Sequence, residues 1–371
     1  MSTLKQASQL EKTNFDFDDS RRARELSTLL EERMPDRDVR VVHVCGTHEM
    51  TITENGLRTL FPARLDVREG PGCPVCVTPT QHLDAALKLA ERDVIVTAFG
   101  DMMRVPGTER TLEEAKSKGA DVRLVYSIGD AVDIAKDTSK EVTFLGVGFE
   151  TTAPMTAAVL KRDPPSNFSI LPGNKLIPPA MKALLELPDV QVDGFIAPGH
   201  VSSIIGVKPY RSLAEEYQVP IVIAGFEPLD MLYALNLLLD QLQKGEAKVD
   251  NAYPRAVQEE GNKRSLEMLE EVFTVEDTQW RGIGTIPDSG LVLREPYRKW
   301  DGIAKFQLEA QPQEDIVPGC RCPDVLTARA TPEECELFGE DCTPSNPVGP
   351  CMVGEEAMCN IWFRYGGRPQ L

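Results

Sequence analysis

The sequence has no cysteine between Cys76 and Cys320, no second C-x-x-C to match the one at Cys73–Cys76, and no G-x-x-x-x-G-K-[ST] loop. The first absence confines thiol chemistry to the two ends of the chain. The second leaves a zinc knuckle without its other half. The third excludes standard P-loop nucleotide chemistry. No apolar run approaches the roughly 20 residues that span a bilayer. Met1–Asp19 is polar and charged, without the apolar centre of a secretory signal. The expected location is therefore the cytoplasm, with no membrane partner. No basic run offsets the net charge of −18, and the arginines of Asp19–Arg24 sit among acids. A phosphate backbone is repelled by such a surface, so nucleic acid is not an expected partner.

What is present is 371 residues, enough for two or three domains, and nine cysteines. Cys45, Cys73 and Cys76 lie in the first part; Cys320, Cys322, Cys335, Cys342, Cys351 and Cys359 crowd the tail. In a reducing compartment, clustered thiols are metal ligands or redox groups more often than structural disulfides.

Arg21–Met34 carries Leu26, Leu29, Leu30 and Met34 at helical spacing. Val39–Cys45, Val94–Phe99, Val122–Ser127, Val142–Val147, Gly194–Ala197 and Pro220–Ala224 read as buried strands, each followed by a segment able to form a helix. This alternation predicts an α/β fold of parallel sheets covered by helices on both faces. The expected division is a helical lead-in and first α/β domain over 1–135, a second, similar one over 136–250, a segment over 251–314 that returns to the first domain, and a small cysteine-rich domain over 315–371. The apolar stretch Asp230–Leu242 predicts a core helix.

Unusual residues fall just past the strands, where open α/β sheets place their sites. They are Cys45-Gly46-Thr47-His48-Glu49, Gly100-Asp101, Gly148-Phe149-Glu150-Thr151-Thr152, Pro198-Gly199-His200-Val201-Ser202 and Gly225-Phe226-Glu227-Pro228-Leu229-Asp230. One cleft lined from two α/β units is predicted. A helix start after Cys45 would stabilise a thiolate there, and His48 and Glu49 would supply a base or a supporting partner; an inert buried cysteine is the plainer alternative. Glu150, Thr151, Thr152, His200 and Ser202 gain functional weight from their shared position, although each alone is compatible with a helix cap. His43, within a strand, and His82, on a helix, read as structural.

Gly70-Pro71-Gly72-Cys73-Pro74-Val75-Cys76 reads as a redox pair on an accessible turn. A thioredoxin-like arrangement is disfavoured, because there the C-x-x-C opens a helix soon after a strand, whereas Arg68–Gly72 reads as a loop. In the tail, Cys320, Cys335, Cys342 and Cys359 follow the pattern C-x14-C-x6-C-x16-C. Four thiolates suit a cubane iron–sulfur cluster or a structural zinc, and spacing alone does not separate the two.

Taken together and in order, CGTHE at Cys45–Glu49, GPGCPVC at Gly70–Cys76, GFETT at Gly148–Thr152, PGHVS at Pro198–Ser202, GFEPLD at Gly225–Asp230 and the tail cysteines resemble the HypD family of [NiFe]-hydrogenase maturation scaffolds. The resemblance runs from about residue 39 to the end. It implies two similar α/β domains and a C-terminal [4Fe–4S] domain. It implies a small HypC-type partner with which the chain holds an iron that receives cyanide and carbon monoxide. Cyanide would come through HypE, served by HypF, and the Fe(CN)2CO unit would pass to the hydrogenase large subunit. Carried over, Cys45 is the iron ligand, His48 and Glu49 support it, Cys73 and Cys76 are the redox pair, and Cys320, Cys335, Cys342 and Cys359 hold the cluster. Cys322 and Cys351 are left over: one of them could replace a named ligand, or both could sit nearby as spare thiols. The implied role is a redox scaffold, with electrons passing from the cluster to the dithiol, rather than a conventional turnover enzyme.

Overall fold

Runs such as Val-Arg-Val-Val-His and Ile-Val-Ile-Ala have no polar face to offer solvent, so they pair only inside a sheet covered on both sides. The computed structural model describes residues 20–308 and 317–367. The polar stretch Met1–Asp19 and the first residues of the expected tail domain, 315 and 316, lie outside them. The strands are β1 (Val39–His43), β2 (Leu65–Glu69), β3 (Ile95–Ala98), β4 (Val122–Leu124), β5 (Val142–Leu145), β6 (Phe168–Leu171), β7 (Gly194–Pro198), β8 (Ile221–Ala224), β9 (Val249–Asn251), β10 (Phe273–Trp280) and β11 (Gly284–Leu293). Two parallel sheets result, ordered β2-β1-β7-β8-β9 and β4-β3-β5-β6, and β10–β11 form an antiparallel hairpin. The α/β class is as expected.

The sheets do not follow the sequential division at residue 135. β1 pairs with β2 on one side and β7 on the other, while β3 pairs with β4 and β5. The chain begins one sheet, leaves to build the whole of the second, and returns to finish the first. Strand periodicity gives no sign of this, because every strand is a buried apolar run whichever neighbour it takes. The helix Pro228–Lys244 is a core helix, with Leu229, Met231, Leu232, Leu235, Leu238 and Leu239 buried against β1, β7 and β8.

The segment after β9 touches both sheets: Ala252 packs with Val39 and Val41 of β1, and the Arg281 N–H donates to the Val77 carbonyl (3.0 Å). Its helix Lys263–Val272 and the β10–β11 hairpin place Leu269, Val272, Phe273, Leu291 and Leu293 in one cluster with Ile95, Phe144 and Phe168 of the β4-β3-β5-β6 sheet. The tail has little regular structure, but its apolar residues share a core with the body. Cys322, Val325, Cys351, Val353, Met358 and Trp362 join Val42, Val44, Cys73 and Val75 in one buried cluster. Among the described residues no helix is long and apolar enough to cross a membrane.

Candidate functional site

Cys45 follows β1 directly and caps the helix Gly46–Glu54. Its neighbour must be glycine: a Cβ at Gly46 would stand 1.8 Å from the carbonyl oxygen of Glu356, so the tail lies directly on this turn. Thr47 Oγ1 donates to Glu356 Oε1 (2.9 Å). The expected thiolate does not follow from the helix start alone. Burial pushes the Cys45 thiol up to about 11, assisted by the Glu356 carboxylate, and outweighs the hydrogen bonds from His48 and Thr47 that pull the other way. Cys45 is therefore a protonated thiol until something displaces its proton.

Glu49 is fully engaged. Its Oε1 accepts from Thr53 Oγ1 (2.6 Å) and Trp362 Nε1 (2.7 Å), and its Oε2 pairs with His43 Nε2 (2.9 Å) and Arg58 Nη2 (2.8 Å). Burial would raise this carboxyl, but the Arg58 guanidinium and His43 more than offset it and hold Glu49 well below the usual carboxylate range. With both oxygens used twice, Glu49 acts as a structural hub and is no spare ligand. Through His43, whose Nδ1 faces the Cys45 carbonyl (3.1 Å), the hub reaches the turn that carries the thiol. His43 is structural, as expected, and also positions Cys45. His48 is fully buried. Burial and its neighbour His43 bring it down to about 3, so it is a neutral imidazole, with its ring against Phe226 (centroids 5.0 Å). His200 lies at the surface and stacks on the same Phe226 at 3.7 Å.

Arg68 and Glu69, read as loop, are the last residues of β2. After a three-residue turn, Cys73 caps the short helix Pro74–Val77, its sulfur accepting the Cys76 N–H (3.4 Å). The C-x-x-C therefore does open a helix after a strand, and the ground for disfavouring a thioredoxin-like placement is removed. The signal missed was that Leu65–Glu69 alternates apolar and charged residues, because β2 is an edge strand. The two sulfurs are 2.6 Å apart, and each residue is only 1% exposed, so the pair is not on an accessible turn. A Cβ at Gly72 would fall 2.2 Å from the Cys45 backbone nitrogen, so Cys73 is one residue from contact with the Cys45 turn. Burial, with smaller contributions from Cys73 and Glu69, raises the Cys76 thiol well above its ordinary value.

The tail extends the line of sulfurs. Cys351 touches the thiols of Cys322, Cys359 and Cys76. Cys322 in turn touches Cys320 and Cys359. Gly349 leaves room for them, since a Cβ there would be 2.6 Å from both the Cys320 and the Cys322 sulfur. Cys342 Sγ accepts the Val348 N–H (3.4 Å), and the Cys335 thiol points at the Gly319 carbonyl (4.0 Å). Among the described residues no three His, Cys, Asp or Glu side chains are arranged to hold a single ion. The thiols of Cys322, Cys351 and Cys359 form a group of mutual neighbours, with Cys320 beside Cys322 and Cys76 beside Cys351, so the two left-over cysteines lie at its centre.

The turns after β5 and β7 lie near the Cys45 turn. Glu150 is buried, accepts the Ile177 N–H on Oε1 (2.9 Å), and is raised by burial to about 7. Thr152 is a local brace: its hydroxyl donates to the Val147 carbonyl and accepts from Asn174 Nδ2. Thr151 is exposed. Ser202 pairs with the Tyr210 hydroxyl (3.1 Å). Tyr210 is fully buried within electrostatic reach of Cys45 and Glu150, and burial raises its phenol strongly. Tyr210 and Glu69 escaped the sequence reading. Tyr210 lies in the first turn of the helix Lys208–Tyr217 rather than past a strand, and Glu69 reads as a loop residue.

The sequence that builds this site matches a known family. The model described as HypD, hydrogenase formation hypA family, covers residues 21–366. The chain belongs to the HypD family. The maturation factor HypD2 of Bradyrhizobium diazoefficiens is 43% identical over 348 residues, spanning 90% of this chain and 91% of the relative. The hydrogenase expression/formation protein HupD of Azotobacter chroococcum is 42% identical over 368 residues, 96% of this chain and 97% of the relative. The maturation factor HypD of Escherichia coli is 41% identical over 336 residues, 89% and 90% of the two chains. The chain is thus a HypD-type hydrogenase maturation factor.

Proposed function

We propose that this maturation factor is an iron–sulfur scaffold on which an Fe(CN)2CO unit is assembled for a [NiFe]-hydrogenase. The observation that carries the reading is the continuity of sulfurs from the tail group of Cys322, Cys351 and Cys359, through Cys76 to Cys73, beside the Cys45 turn. Cys45 is the soft donor for the iron substrate. A second thiolate, from a small HypC-type partner, would complete a two-point grip loose enough to release the finished unit. Cyanide would arrive through HypE, served by HypF. His48, neutral and buried, would face the metal without adding charge. Glu150, Tyr210 and His200 line the rest of the cleft.

The tail suits a resident [4Fe–4S] cluster. Cys342 already receives a backbone N–H, the kind of bond that tunes cluster sulfurs, and Gly349 leaves room beside Cys320 and Cys322. We assign its ligands as Cys320, Cys335, Cys342 and Cys359. Cys322 lies beside Cys320 and is the thiol able to take its place. When bound, the cluster supplies single electrons at the tail end of these sulfurs. Cys351 is placed to exchange with Cys76, and the Cys73–Cys76 pair to store two electrons next to Cys45. A protein disulfide oxidoreductase would use the same strand–C-x-x-C–helix geometry, but sulfurs 1% exposed give a protein disulfide no access.

The test is infrared spectroscopy of the protein purified anaerobically with its small partner. Cyanide and carbonyl stretching bands are expected, and Cys45→Ala should lose them while keeping the cluster's visible absorption. Bands that survive Cys45→Ala would refute the assignment.

A further inference from the structure

The edge strand β2 and the start of β1 border an open cavity of about 490 Å³, enough for a small metabolite. Four arginines and two aspartates line it: Arg40, Arg58, Arg64, Arg68, Asp38 and Asp66. In a chain of net charge −18 this is a local reversal of sign. Not every arginine is matched by a carboxylate of its own. Arg58 is committed to Glu49 (2.8 Å), and Arg64 to Asp36 (2.9 Å) in a pair open to water. Arg40 and Arg68 share one carboxylate, because Arg40 Nε (3.1 Å) and Arg68 Nε (2.7 Å) both donate to Asp66 Oδ2. Two guanidinium charges thus meet one anionic charge, on side chains that are 24%, 10% and 24% exposed for Arg40, Arg68 and Asp66. Asp38 is exposed, where solvent screens its charge.

Donors are left over as well as charge. Both Nη groups of Arg40, and Nη2 of Arg68, make no bond to another described residue. The Arg68 fork is also fixed in advance, because its Nη1 donates to the buried Ala328 carbonyl of the tail (3.1 Å). A phosphate group accepts N–H donors from two such forks at once and neutralises the surplus. We propose that this cavity binds a small anion bearing a phosphate group, held by Arg40 and Arg68. The site uses none of the sulfurs and stands or falls independently of the scaffold reading.

The full chain, purified anaerobically, is titrated calorimetrically with inorganic phosphate and with ribose 5-phosphate, in chloride of matched ionic strength. At least one probe should bind with a dissociation constant of about 1 mM or tighter. Arg40→Gln leaves the tail contacts of Arg58 and Arg68 in place and should weaken binding at least about tenfold. Asp66→Asn removes the shared carboxylate and should tighten binding at least about threefold. Circular dichroism checks that both variants fold. Tighter binding of ribose 5-phosphate assigns the remaining volume to the body that carries the phosphate, and equal affinities assign the site to free phosphate; both support the proposal. No binding of either probe overturns it, as does binding that Arg40→Gln leaves unchanged. Weaker binding in a folded Asp66→Asn overturns the argument from surplus charge.

Discussion

Replacing Glu49 by glutamine tests whether the tail is held on the body through one carboxylate. Glutamine keeps the shape and one acceptor oxygen but turns the other into a donor. If that oxygen stays with Thr53 and Trp362, the new amide faces Arg58 Nη2, a donor 2.8 Å from the present Oε2. Arg58 is only 9% exposed at its side chain and Glu49 0%, so the broken pair is a buried one. Breaking one partner of such a pair costs about 3–5 kcal/mol. The tail should suffer most, because Trp362 and the Arg58 guanidinium that lies 5.1 Å from its ring both depend on the carboxylate. The sign of the pH dependence follows from the depressed acidity of Glu49. Its contribution is fully present above its ordinary value of 4.5 and is lost as pH falls toward its folded value. Hydrogen exchange of the helix Met358–Tyr365 is the assay. The variant should lose protection by about two to three orders of magnitude at neutral pH, the exchange equivalent of that free energy. Protection within tenfold of wild type would refute the idea that Glu49 fastens the tail.

Cys320→Ala should abolish the visible absorption of the cluster while Cys322→Ala retains it; the reverse would put Cys322 in the ligand set in its place. Cys335→Ala should also lose that absorption, and its full retention would remove Cys335 from the set. Gly46→Ala should displace the Glu356 backbone, since the added carbon would sit 1.8 Å from its carbonyl oxygen, and limited proteolysis should then cut the tail faster than in wild type. Glu150 is raised from 4.5 to about 7, so it weakens the folded state as pH rises between those values. Glu150→Gln should therefore stabilise the protein by up to about 3 kcal/mol at pH 8 and by nothing at pH 4, measured by denaturant titration. Equal effects at both pH values would show that Glu150 is not a buried acid.

The central strands were legible because a run such as Ile221–Ala224 has one physical outcome. The edges were not. β2 carries Asp66, Arg68 and Glu69, and β9 is only three residues long, so neither has the apolar density that marks a buried strand. Sheet membership was hidden for a different reason: the choice between β2 and β3 as the neighbour of β1 is made by helix packing over long sequence separations. Cys45, Cys73 and Cys76 were identifiable from their Gly- and Pro-bounded turns. Tyr210, Glu69 and Glu356 were not, because each acts from a position that is ordinary in sequence and becomes special only when the tail folds over the cleft.

That covering has a chemical consequence. Burial raises Cys45 and Cys76, and hydrogen bonding among neighbouring thiols, with burial behind it, raises Cys351 and Cys359, so in the empty protein these sulfurs are predominantly neutral thiol. Binding a soft metal or closing a disulfide must then expel protons, and an acidic shift works against either event. A scaffold that must let go of its iron gains from this arrangement, because each lost metal–sulfur bond is replaced by a stable buried S–H and not by an exposed thiolate that would recapture the metal. Iron loading of the wild type should accordingly weaken progressively as pH falls below about 11, whereas Glu356→Gln should load at lower pH, because the Glu356 carboxylate contributes to the high Cys45 value. Identical pH midpoints for iron binding in the two proteins would show that the tail carboxylate does not set the proton affinity of the metal-binding thiol.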